Sequence, residues 1–349
     1  MRLGVTTGLW GRGRDEEQLA LVQRAEELGV HIAWVPEAYG YDAATVLAWI
    51  GARCARIRLG AGVLQIPGRT PAMTAMTAAS LDGLSGGRFE LGLGVSGPQV
   101  SEGWHGVRFA RPLARTREYV EIVRTALARR PLSYQGEHFT LPLPDGPGKP
   151  LRLATAGPAR QLPVHLAAVG PRNTELAGEI ADGWLGVFLT PEHTAETRET
   201  LGRGRARSSD PDRPLQLTAT VPVAVGDDVA GCADLVRDYA ALYLGGMGSR
   251  QQNFYNALAR RLGHEEAAEQ VQEHYLAGRH REAAAAVPLG FLDETSLLGP
   301  PARLEERLGR YAEAGLTTLA LAPHGPTPEA RTAALEAAVA AADRAGVLS

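Results

Sequence analysis

Lysine is almost absent: of 36 lysine and arginine residues, Lys149 alone is lysine. Cysteine is nearly as scarce. Cys54 and Cys232 stand far apart without a C-x-x-C partner, which argues against a disulfide framework or a cysteine-based zinc site and suits a reducing cytoplasm. No apolar run approaches the roughly 20 residues of a membrane span. The opening Met1-Arg2-Leu3-Gly4-Val5-Thr6-Thr7 lacks a basic segment followed by an apolar one, so it reads as a first strand. Basic residues form no block interleaved with aromatics, and the net charge is -3, which argues against nucleic acid as a partner. A cytoplasmic protein without a resident metal is expected.

What is abundant is aliphatic. Hydrophobic residues make up 44% of the 349, with 6% aromatic and 21% charged, enough for a large core. That length is generous for one ordinary domain and fits an α/β barrel carrying insertions.

Strand-like and helical runs alternate along the chain. Strands are expected at 3–7, 31–35, 57–63, 88–95, 164–169, 183–189, 215–225 and 317–321. Helices are expected at 15–28, 43–54, 71–84, 113–128, 173–181, 192–207, 229–244 and 328–345. In the first helix Leu19, Val22, Ala25 and Leu28 share a face, and Gly29 stands where a left-handed cap ends it. Thr70 is placed to cap the helix that Pro71 opens. Two stretches break the rhythm, at about 131–160 and 245–286. The first is rich in Pro, Gly and aromatics and carries a hairpin tip at 134–139; the second reads as short helices and is expected to cover the barrel mouth. Eight strands with their helices predict one (β/α)8 TIM barrel over 1–349 with these two insertions. An open doubly wound sheet is disfavoured, because no G-x-G-x-x-G follows the first strand.

In a barrel the chemistry gathers at the carboxyl ends of the strands. Those ends supply Thr7 to Trp10, Glu37, Gly62 to Gln65, Val95 to Gly97, Gly170 to Thr174 and Phe188. Gly60 and Gly62 interrupt the third strand and remove side chains where a flat ring or another backbone approaches. Gly170-Pro171-Arg172-Asn173 leads a strand into a helix whose first N–H groups and dipole attract an anion, with Asn173 or Thr174 as the expected cap and Arg172 adding charge. One carboxylate among glycines and backbone donors points to a bound cofactor rather than a two-acid hydrolase.

Four motifs, in order, resemble the bacterial luciferase-like superfamily: Gly62-Val63-Leu64-Gln65-Ile66-Pro67 with Arg69-Thr70-Pro71, Leu84-Ser85-Gly86-Gly87-Arg88-Phe89, Leu91 to Gly97, and Ala168 to Asn173 with Ala181-Asp182-Gly183-Trp184. Within it the chain resembles the branch that uses coenzyme F420, a deazaflavin. The resemblance implies a luciferase-like barrel, a homodimer, and a non-prolyl cis peptide in a bulge of strand three at Gly62-Val63. It implies a cofactor site of Gly62, Val63, Leu64, Gln65, Ser96 and Gly97 around the ring and Gly170, Pro171, Arg172 and Asn173 around the phosphate, with the polyglutamate tail leaving near Arg69, Arg111 or Arg115. Glu37 is the expected catalytic residue, standing where sugar-phosphate dehydrogenase members commonly carry histidine. Thr7, Trp10, Tyr39 and His105 are the candidate substrate pocket.

The expected activity is hydride transfer between deazaflavin C5 and a small-molecule or peptide substrate. Reduction of an activated C=C or C=N bond in natural-product tailoring fits best, with a separate F420-reducing enzyme as hydride source. An FMN-dependent luciferase-like monooxygenase and a non-catalytic flavin-binding or deazaflavin-binding protein are the alternatives.

Overall fold

Each helix returns the chain to the same end of the sheet, so successive strands pair in parallel. The computed structural model describes residues 1–8, 10–11, 13–155 and 161–349. Its first half runs β1 (Arg2–Thr6), α1 (Asp15–Glu27), β2 (Ile32–Val35), α2 (Ala43–Arg53), β3 (Arg58–Ala61), β4 (Leu64–Gln65), α3 (Pro71–Leu84), β5 (Phe89–Gly94), α4 (Pro98–Gly103) and α5 (Pro112–Leu127). A hairpin of β6 (Tyr134–Gln135) and β7 (Thr140–Leu141) follows, then β8 (Val164–Ala167), α6 (Pro171–Ile180), β9 (Gly183–Val187), α7 (Pro191–Arg205) and β10 (Gln216–Val225). The last part comprises α8 (Val229–Asp234), α9 (Arg237–Ala241), α10 (Phe254–Arg261), α11 (Glu265–Leu276), α12 (His280–Ala285), α13 (Leu289–Glu294), β11 (Leu297–Gly299), α14 (Pro301–Glu313), β12 (Thr318–Pro323) and α15 (Pro328–Arg344).

Strand order β10-β12-β1-β2-β3-β5-β8-β9 is closed by β9 pairing with β10, from Gln216 opposite Gly183 to Thr220 opposite Val187. This is the eight-stranded parallel barrel expected from the sequence. Leu3, Val5, Leu59, Leu91 and Leu93 are buried in the main core cluster with apolar residues of the surrounding helices. A second core under the helices after β10 gathers Phe188, Val236, Leu244, Val271 and Phe291.

Inside the barrel, Trp34 forms the floor with Ile32 and Ala320. Gly60 makes room for it, since a Cβ there would lie 2.3 Å from the indole. At the opposite end of the barrel from the mouth, Glu90 accepts from Arg58 Nε at 2.6 Å and pairs with His165 Nε2 at 2.9 Å. Burial pushes the Glu90 carboxyl up, but the hydrogen bond and charge at His165, together with the Arg58 guanidinium, outweigh it and hold the group at about 2.

Local signals act as read. Gly29 has φ +77° after α1, and the Thr70 hydroxyl accepts from the Met73 N–H at 3.2 Å. The helix expected over 229–244 is instead α8, α9 and a π-helical turn over Leu242–Gly246. That wider turn gives Tyr275 its place, because a Cβ on Gly245 would lie 2.3 Å from Tyr275 Cβ. The stretch 287–316 carries no expected element, yet it forms α13, β11 and α14, with β11 extending beside β10. Of the two expected insertions, 131–155 carries the β6–β7 hairpin, 156–160 lies outside the described residues, and α10 to α12 occupy the second. Among the described residues no helix is long and apolar enough to cross a membrane.

Candidate active site

The third barrel strand is split, β3 pairing with β2 and β5 and β4 with β5 alone, and the Gly62–Val63 peptide between them is cis. Above the Trp34 floor most inward positions are small, among them Thr6, Gly62, Gly94, Ala167, Thr220 and Ala322, with Val187 beside Thr220. Thr6 and Thr220 meet across the intervening strand with hydroxyls 3.5 Å apart. A Cβ on Gly62 would lie 3.2 Å from Trp34 Cβ, and one on Gly94 2.6 Å from Val63 Cγ2. The missing side chains give Trp34 and Val63 their places at the bulge.

Gln65 ties the rim together. Its Nε2 donates to the Ala38 carbonyl at 2.7 Å, while its Oε1 accepts from Ser96 Oγ at 3.2 Å and lies 3.1 Å from His105 Nε2. Ser96 holds φ +60° and Phe188 φ +51°, both just past the end of a barrel strand. Such conformations in residues other than glycine cost energy and cluster at functional sites.

Glu37 is almost fully buried, and four donors engage its carboxylate: Arg69 Nη1 and Nη2, each at 2.7 Å, the Gln65 N–H at 3.0 Å and the Ala43 N–H at 3.2 Å. Arg69 also pairs with Asp42, and the Tyr119 hydroxyl donates to its carbonyl at 3.1 Å. This places Arg69 in the site's frame. Arg111 pairs with Glu137, and Arg115 stands over the Phe139 ring.

At the second expected subsite, Gly170 is the cap residue of α6 and no side chain caps it. Asn173 lies within the helix, donating to the Ala167 carbonyl at 3.4 Å, so the cap expected of Asn173 or Thr174 is not made. Two further features fit a ligand here. Asn173 Oδ1 is buried without a partner. Arg261, from α10, donates to the Val169 carbonyl at 3.0 Å beside the α6 start, and burial lowers its pKa. Arg172 is exposed and faces the cleft between α5 and α6. Arg261 escapes sequence reasoning because 92 residues separate it from Val169.

A wall of aromatic rings comes mostly from elements after β10, joined by Phe188 at the end of β9. Tyr239 and Tyr243 have ring centroids 4.7 Å apart, Tyr243 and Tyr255 4.8 Å, and Phe188 lies 5.5 Å from Tyr243. His324, just past β12, packs its ring edge-on at 5.6 Å from Tyr239. Burial raises the Tyr239 hydroxyl well above the ordinary phenol range and lowers His324, so both are neutral near pH 7. The i, i+4 spacing of the first two tyrosines is the one signal that would have revealed this wall, and it reads equally as helix core.

The other candidates divide. Thr7 and Trp10 satisfy each other, indole N–H to hydroxyl at 2.9 Å, and Trp10 packs edge-on against Trp49, 6.0 Å between centroids. Tyr39 stays 63% exposed at the rim beside Trp104, itself 66% exposed, with ring centroids 6.4 Å apart.

Comparison with known proteins agrees with this geometry. The luciferase-like monooxygenase family model matches residues 6–318. A Mycobacterium tuberculosis protein provisionally named a coenzyme F420-dependent oxidoreductase is 40% identical over 91% of this chain and 94% of its own. The 5,10-methylenetetrahydromethanopterin reductase of Archaeoglobus fulgidus is 27% identical over 87% of this chain and 89% of its own. The coenzyme F420-dependent tetrahydromethanopterin reductase of Methanopyrus kandleri superposes with a TM-score of 0.81 at 22% identity, covering 98% of both chains.

Proposed function

The chain belongs to the luciferase-like monooxygenase family, and from that membership we propose a coenzyme F420-dependent oxidoreductase that reduces an activated C=C or C=N bond of an organic substrate. The 40% identity to an F420-dependent relative across nearly the whole chain carries the reading. When bound, the deazaflavin supplies the hydride.

The residues fit that group. The flat ring is assigned to the barrel mouth beside the Gly62–Val63 bulge, where Thr6, Ala167 and Thr220 carry small side chains. The uncapped N–H groups of α6 and the Arg261 guanidinium suit its phosphate, and Asn173 Oδ1 suits a hydroxyl of its side chain. Leu64, Gln65, Ser96, Gly97, Gly170, Pro171, Arg172 and Asn173 complete the proposed cofactor contacts.

Glu37 receives a positioning role here. With both oxygens engaged by Arg69 and two backbone N–H groups, it holds the Gln65 backbone and the β2–α2 loop in place. Reduction of a double bond also consumes a proton, and we assign its delivery to His105, which the site keeps beside Gln65. A homodimer and a separate F420-reducing enzyme complete the proposal; light scattering of the purified protein tests the dimer.

Titration of the apoprotein with coenzyme F420 and separately with FMN, followed by fluorescence, tests the core of the reading. Tight F420 binding with weak FMN binding is expected. Preference for FMN overturns it in favour of oxygen-dependent chemistry, and binding without turnover across a broad acceptor panel favours a non-catalytic carrier.

A further inference from the structure

At the end of the barrel opposite the mouth, we propose a halide site in which Arg205 and Arg213 hold a small monovalent anion beside the carboxyl end of α6. It is independent of the cofactor reading. The first support is a buried cation with free donors. Arg205 is only 9% exposed, yet its Nε and Nη1 have no hydrogen-bond partner among the described residues, and neither does the buried Nε of Arg213. Of the Arg205 guanidinium, only Nη2 is satisfied, donating to the Ala181 carbonyl at 2.9 Å. Buried donors left unpaired in this way are costly, and more so on a charged group.

The second support is a surplus of positive charge. Asp182, which stands just before β9, accepts from Arg124 Nη2, from Arg213 Nη1 and from the Val164 N–H, each at 2.8 Å. Its oxygens are committed to those donors. Arg213 Nη2 reaches the same Ala181 carbonyl as Arg205, at 3.1 Å, so two like charges are held side by side on one acceptor, and Arg124 takes the Ile180 carbonyl at 3.1 Å. These carbonyls end α6 and offer only the partial negative charge of a helix terminus. Asp210 attracts Arg205 through its charge alone, from an exposed position. Burial first and Arg213 second lower the Arg205 pKa, but a guanidinium keeps its proton, so the charge stays and calls for a counter-charge.

The surplus defines the ligand. Arg124, Arg205 and Arg213 against Asp182 and Asp210 leave one positive charge to balance. A dianion such as phosphate would bring a second charge against the Asp182 carboxylate, and water would accept the hydrogen bonds without supplying any charge. A halide accepts from several N–H groups at once and carries the one charge needed. Bound there, it ties the end of α7, which carries Arg205, to the end of α6 and to the segment that enters β10.

Thermal unfolding of the full chain in sodium chloride or bromide, against sodium isethionate at equal ionic strength, tests the site. The halides should raise Tm by about 3 °C in a saturating manner and isethionate should not. Arg205→Met should abolish that difference between the salts; an arginine that only caps α6 predicts the same loss of Tm in both. Crystals of the wild-type protein in bromide should show an anomalous peak within hydrogen-bond distance of Arg205 Nε or Nη1, a readout that stands even where Arg205→Met fails to fold. No peak at Arg205, equal stabilisation by isethionate, or a halide effect that survives in Arg205→Met overturns the proposal. A peak without a saturable rise in Tm means an adventitious ion only and overturns it as well.

Discussion

Glu37 and Glu90 are both buried carboxylates paired with arginine, and their surroundings separate their roles. Glu90 belongs to the barrel's frame, against Arg58 and His165. Held at about 2, below the 4.5 of an ordinary glutamate, it contributes stability that is present above about pH 4.5 and is lost as pH falls toward 2. Glu90→Gln leaves Arg58 without its carboxylate and is expected to cost about 3–5 kcal/mol in denaturant unfolding at pH 7. The variant should also lose much of the acid dependence of stability between pH 4.5 and 2 that wild type shows. Glu37 stands at the mouth, so the corresponding change acts on function. If it only positions Arg69 and Gln65, Glu37→Gln weakens F420 binding and leaves the pH profile of kcat in place. His105→Gln should keep the cofactor but lower kcat by about 100-fold, the scale of a lost general acid, and remove one limb of that profile. A Glu37→Gln variant that loses the limb returns the proton role to Glu37.

Elements are held by similar long-range caps. The hairpin of β6 and β7 is fastened by one residue of α5: the buried Glu118 carboxylate accepts from the N–H groups of Glu137 and His138, each at 2.9 Å, and Phe139 at 3.1 Å. Glu118→Ala strips three N–H groups of their acceptor and is expected to cost about 1–3 kcal/mol, with faster amide exchange confined to 137–139. The hairpin tip itself is legible from Tyr134 to Phe139, but its clasp is not, because a glutamate 19 residues upstream carries no local signature. The same contrast runs through the chain. Gly29 and Thr70 are local signals and read correctly. The Arg69–Glu37 pair spans 32 residues, and the three residues of β11 are too few for a period of two to register. The π-helical turn that ends the expected 229–244 helix packs Gly245 and Gly246 against Tyr275, a tertiary contact that overrides helix propensity.

At the scale of the whole molecule the barrel and the helices after β10 keep separate cores, and the mouth is their seam. Among the contacts that cross it are Arg261 onto the Val169 carbonyl, Phe254 against Phe109 at 6.4 Å between centroids, Phe188 from β9 among the tyrosines, and Tyr239 against His324. None of these is an ion pair, and Arg261 brings a partly desolvated charge to the uncapped start of α6. An anion bound there joins both sides, so it stabilises the fold through a site that neither side completes alone. Coenzyme F420 at about 100 times its Kd should therefore add about 2.7 kcal/mol of stability, seen as a rise in Tm that grows with ligand concentration. The deazaflavin lacking the phosphate side chain should bind more weakly, because it meets only the barrel side and leaves the seam open. Arg261→Ala distinguishes the two: it should lower affinity for intact F420 and leave that for the truncated deazaflavin nearly unchanged. Equal losses for both ligands would mean that Arg261 acts by holding α10 against the barrel rather than by meeting the phosphate.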